Sequence, residues 1–60
     1  MTRRDYVLLE ETIKLCIEIV QTESEREGIR FLARLLASRL ALENRAFDQK
    51  RFLKDAGATK

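Results

Sequence analysis

Arginines at positions 26, 30 and 34 are spaced i, i+4, i+8, which on a helix stacks them into a single ridge, with Arg39 further along the chain. A guanidinium is a planar fork that grips a carboxylate or phosphate through paired N–H bonds. Three such groups in a row repel one another unless negative charge lies alongside. Two sources of that charge stay open from the sequence. One is Glu10, Glu18 or Glu23, assigned to the preceding helix of the same chain or of a second copy. The other is an anionic ligand: an acidic protein surface, a nucleotide or nucleic acid. Duplex DNA is the least favoured, because no glycine-bearing helix-turn-helix turn stands in the usual place and the net charge is only +2. No glycine loop that could cradle phosphate is present either.

The remaining chemistry-bearing residues argue against catalysis. Histidine is absent. Cys16, the single cysteine, falls in the middle of an apolar stripe and reads as a small buried hydrophobe with no activating base. It excludes an internal disulfide, and with no histidine it makes no structural zinc set. Glu11 and Glu18 are i, i+7 and could bridge a metal only with a partner chain, so they read as a solvated face. Glu10 pairs with Lys14 at i, i+4. Tyr6 begins the apolar stripe. Its ring is expected in the core with the hydroxyl at the edge, the other reading being a stack on a planar ligand. The expectation is a protein that is not an enzyme, with no metal and no cofactor. Its ligand or partner contacts are expected at Arg26, Arg30, Arg34, Arg39 and Tyr6.

Those residues must be positioned by helices. Sixty residues allow a single small domain spanning 1–60. With 45% hydrophobic and 37% charged residues the chain is expected to fold rather than stay disordered. Proline is absent and no segment alternates with period 2. Apolar residues at Tyr6, Leu9, Ile13, Cys16, Ile17 and Val20 predict a helix over about 3–22, capped by Thr2 with Asp5. Ser24 and Glu27 predict a capping box for a second helix over about 25–44, with a stripe of Ile29, Leu32, Ala33, Leu36 and Leu40. Gly28 weakens that helix, and either a close helix crossing or tolerance near a helix end would account for it. Asp48 predicts a third helix over about 49–56, with Phe47 and Phe52 as a hydrophobic staple, Gly57 at C′ and a frayed tail over 58–60. Whether the second and third helices are separate is left open by Asn44, Arg45 and Ala46.

The apolar faces are too wide for one hairpin. Leu8, Leu15 and Ile19 widen the first helix's apolar arc to roughly 200°, against about 100° for an ordinary surface helix. Phe31, Leu35 and Leu42 do the same on the second. The expected fold is therefore all-α: a helical hairpin plus a short C-terminal helix, assembled as a homodimer or larger oligomer through those six residues. The alternative is a monomeric three-helix bundle that uses every apolar residue in one core. Charge is divided unequally. Residues 1–23 carry 3 basic and 5 acidic groups, and residues 24–60 carry 9 basic and 5 acidic groups. No apolar run approaches the ~20 residues of a membrane span, and the acidic groups after Arg3 and Arg4 leave no signal-peptide core, so a cytoplasmic location is expected.

The segment from Arg4 to Leu8 and the segment from Leu36 to Gly57 resemble short, mostly uncharacterised accessory proteins of tailed bacteriophages and prophages. Those proteins open with a D-Y dipeptide, matched by Asp5-Tyr6. They end with a pattern like N-P-x-F-D-x-x-R-F-L, matched at Asn44, Phe47-Asp48 and Arg51-Phe52-Leu53, while Arg45 replaces the usual proline. The resemblance covers about half the chain and carries no catalytic residues. It implies a phage-type protein in a bacterial host's cytoplasm that binds and inhibits or sequesters a host component, including a defence component, without catalysis. The alternatives are a small nucleic-acid-binding protein and a structural subunit of a phage assembly. The expected partners are the chain itself and either a host protein or a small anionic ligand such as a nucleotide.

Overall fold

A computed structural model describes residues 1–59. It contains three helices, α1 (Arg3–Ile19), α2 (Glu23–Glu43) and α3 (Gln49–Asp55), and no strand among the described residues. The fold is all-α: α1 and α2 form a hairpin, and α3 packs against both.

Capping sets the helix boundaries. The Thr2 N–H donates to the Asp5 carboxylate at 2.9 Å, and the Asp5 N–H donates to the Thr2 hydroxyl at 3.4 Å. The second box differs from the sequence expectation. Thr22 and Glu25 form it, with both reciprocal bonds at 3.1 Å, so α2 starts two residues earlier than Ser24 and Glu27 predict. Glu27 is instead engaged by Arg30 at 2.7 Å. α1 stops at Ile19 rather than at 22 because Val20 is extended. Arg26 of α2 closes this corner by donating from Nη2 to the Val20 carbonyl at 3.3 Å.

The break between α2 and α3 is real despite Arg45. Asn44 leaves the helical region, its side-chain oxygen accepts the Ala46 N–H at 3.0 Å, and its carbonyl accepts the Phe47 N–H at 3.0 Å. Asp48 then caps α3 by accepting from the Arg51 N–H at 3.1 Å. The staple forms as expected, with Phe47 and Phe52 ring centroids 5.2 Å apart. Gly57 has φ +71°, and the bonds Gly57 N–H to Lys54 C=O and Ala58 N–H to Leu53 C=O complete a Schellman motif. Ala58 is consequently buried, which corrects the expected fraying at that residue. Lys60 lies outside the described residues.

The core is thin. Its buried members are Ile13, Ala33, Ala37, Leu40, Phe52, Ala56 and Ala58, so alanines outnumber large side chains. Tyr6, Leu9, Ile17, Ile29, Leu36, Phe47 and Leu53 pack around them. Leu32, expected in the core stripe, is 61% exposed, and Cys16 is only half-buried. Leu32 lies at the edge of its stripe, and Cys16, expected as a buried hydrophobe in mid-stripe, is not fully covered. A Cβ on Gly28 would meet nothing within 4 Å, so no crossing within this chain requires glycine there. Gly28→Ala is expected to stabilise the fold by about 1 kcal/mol, read as a melting temperature raised by roughly 4–8 °C.

Candidate functional site

The arginine ridge is partly consumed by its own helix. Arg30 Nη1 donates to Glu23 at 2.8 Å and to Glu27 at 2.7 Å, and its side chain is only 13% exposed. Arg26 reaches Glu23 at 3.5 Å. The hydrogen bond that Arg30 donates to Glu23, ahead of the one to Glu27, holds the pKa of its guanidinium above the ordinary value. The neutralising carboxylates thus come from the first turns of α2, not from Glu10 or Glu18 on α1. Glu23, counted with the first helix by sequence, is the first residue of α2. Arg34 and Arg39 are exposed and make no ion pair among the described residues. The cationic surface left for a partner is those two residues, not a continuous row.

Tyr6 sits where its stripe placed it. Its ring is half-buried, 5.0 Å from that of Phe47, and its hydroxyl accepts from Asn44 Nδ2 at 3.4 Å. This aromatic pair floors a shallow cleft of about 140 Å³ between α1 and α3. Arg3, Glu10, Arg51 and Asp55 rim it. Sequence reading missed the cleft because it depends on how α3 folds back. The only signal was the Phe47–Phe52 staple, which fixes the angle at which α3 enters. Burial, and then the nearby Asp55 carboxylate, push the Glu10 carboxyl above its ordinary value, with Arg3 and Arg51 opposing. Ionised Glu10 therefore opposes folding. The stability it allows is fully present below the ordinary carboxylate range and falls as pH rises through that range to the raised value. Glu10→Gln is expected to raise the melting temperature by a few degrees at about pH 7 and to change it little at about pH 3.5.

The six residues assigned to self-association all face solvent. Leu8, Leu15 and Ile19 on α1 are 63%, 56% and 65% exposed, and Phe31, Leu35 and Leu42 on α2 are 62%, 53% and 81% exposed. The single-chain core thus does not take up every apolar residue. At about 100° per residue, the α1 trio lies roughly 140° round the helix from buried Ile13, and the α2 trio roughly 160° from Ala33 and Ala37. α3 packs on the other side, where Tyr6 meets Phe47. Both trios therefore point away from the buried stripe of their own helix and are left uncovered by the rest of the chain.

No cluster of three or more metal-ligating side chains occurs among the described residues. No helix among them is long and apolar enough to cross a membrane. No family model matches the chain, and comparison with curated proteins and with solved structures gives no match.

Proposed function

We propose that this chain is a non-catalytic interaction protein whose working surface is the set of exposed apolar side chains on α1 and α2. The observation that carries the reading is an inverted distribution of side chains. Four of the seven buried hydrophobics are alanines, while nine large hydrophobics, Val7 and Met1 among them, are at least 37% exposed. A monomeric protein gains most by burying its largest apolar groups, and exposed patches of this extent mark interaction sites. Arg34 and Arg39 flank the α2 trio on the helical wheel and favour an acidic protein surface over nucleic acid, since Arg26 and Arg30 already hold carboxylates. The resemblance to phage accessory proteins directs the search to a bacterial host component that this protein occupies or blocks.

Native mass spectrometry of the gently purified protein from a bacterial lysate tests the reading. An oligomer, or a complex with one bacterial protein, is the expected result. A 7.0 kDa monomer that captures nothing at any concentration would overturn it.

A further inference from the structure

We infer that the outward side of α2 is a seat for one α-helix of a partner protein, an amphipathic helix with carboxylates flanking its apolar stripe. This rests on the reading above and names the partner's chemistry.

Spacing points to a helix. Ser24, Gly28, Phe31, Leu35, Ser38 and Leu42 stand four, three, four, three and four residues apart, and all six are exposed. At about 100° per residue they stay within roughly 80° of arc along the length of α2. A mean step of about 3.5 residues is the seam that one helix presents to another, where the side chains of each enter the gaps of its neighbour. The core stripe of Ile29, Ala33, Leu36, Ala37 and Leu40 lies on the opposite side. One side of α2 thus serves its own bundle, and its own chain leaves the other bare. Phe31, Leu35 and Leu42 project from the seam, while Gly28 and Ser38 leave gaps beside them for a partner's side chains. Glycine weakens its own helix, and a Cβ at Gly28 would meet nothing of the rest of the chain within 4 Å. A partner backbone passing close to that position gives the missing side chain a use.

Charge selects the flanks of that helix. Arg34 lies on one side of the seam and Arg39 on the other. Both are exposed, and neither makes an ion pair among the described residues. From Gly28 to Leu42 the chain holds three arginines and no acidic residue, and the third, Arg30, is turned to Glu23 and Glu27. The carboxylates beside the start of the seam are engaged within α2, Glu25 by its cap at Thr22 and Glu27 by Arg30 at 2.7 Å. Positions flanking such a seam are where ion pairs between helices form and choose the partner. A helix with glutamate or aspartate beside its stripe meets Arg34 and Arg39, and a basic helix meets repulsion. Lipid is disfavoured, because Ser24, Gly28 and Ser38 interrupt the apolar surface that insertion into a membrane interface needs.

Calorimetric titration at about pH 7 tests this, with a synthetic heptad peptide carrying leucine at a and d and glutamate at e and g, beside the same peptide with lysine at e and g. Circular dichroism checks that each variant is folded. The glutamate peptide is expected to bind one-to-one, and the lysine peptide at least about tenfold more weakly. Arg34→Glu combined with Arg39→Glu is expected to reverse that preference, and both residues are exposed, so the fold survives the change. Leu35→Asp is expected to abolish binding. Gly28→Ala is expected to weaken it about fivefold while raising the melting temperature. Equal binding of both peptides, or no binding of either at about 100 µM, would overturn the acidic helix as occupant. Binding that survives Leu35→Asp would overturn the seam. Self-association, or adsorption to anionic phospholipid vesicles, that is lost in Leu35→Asp and that the glutamate peptide does not displace would overturn it in favour of a second copy or a lipid surface. An oligomer or complex seen by native mass spectrometry would in each of these cases leave the broader interaction reading standing.

Discussion

Phe52→Ala is expected to abolish cooperative thermal unfolding. Phe52 is the one large side chain that is almost completely buried, at 1% exposure, and it belongs to the shortest helix. Removing a buried phenyl ring costs about 3–5 kcal/mol, because the surrounding structure collapses only in part. A chain of this length has a total stability of about 3–9 kcal/mol. The loss is therefore of the same size as the stability itself. A seven-residue helix has no independent stability in water, so α3 is expected to melt when its anchor is gone. Its departure also exposes Ala33 and Ala37. Circular dichroism at 222 nm against temperature checks this. A sigmoidal transition within a few degrees of wild type would show that α3 is held by something other than Phe52.

Ala37→Leu acts in the opposite sense on the same core. Ala37 is 0% exposed and shares the buried cluster with Ala33, Leu40 and Phe52. Leucine and alanine differ little in helix propensity, so the effect is one of packing. Ala37 has no exposed surface, so three added carbons are expected to displace the buried cluster it shares with Phe52 of α3. Overpacking of this kind costs about 1–3 kcal/mol, or roughly 5–20 °C in melting temperature for a domain this small. Denaturation by urea, with the slope compared to wild type, reads the cost. An unchanged midpoint would mean that α3 rides on a looser seat than its buried alanines indicate.

These two residues show where sequence reading worked and where it stopped. Helical periodicity named α1 and α2, and the Phe47–Phe52 staple with Asp48 named α3, because each signal is local. The six apolar residues off the main stripes were legible as surplus for the same reason: the wheel counts them whatever the tertiary fold. Leu32 was misassigned because it lies on the boundary of its stripe. Which side of that boundary α3 covers is a tertiary fact. The Thr22 box was missed because two overlapping S/T-x-x-E patterns compete, and the extended backbone at Thr22 decides between them. The α1–α3 cleft was invisible for a related reason, since Glu10 and Asp55 are brought together only by the turn at Asn44–Phe47.

The placement of the aromatic rings has an experimental consequence. Tyr6 is the only tyrosine and tryptophan is absent, so all ultraviolet emission beyond phenylalanine's comes from one ring. That ring stacks on Phe47 at 5.0 Å, on the side of the hairpin that α3 covers. The exposed apolar residues of α1 and α2 include no intrinsic fluorophore apart from Phe31. Tyrosine emission therefore reports the docking of α3 and not what covers the exposed apolar residues of α1 and α2. A label beside the exposed α2 trio would give a second, independent signal. The order of the two events, closing the bundle and covering its outer surface, can then be read from a single mixing experiment.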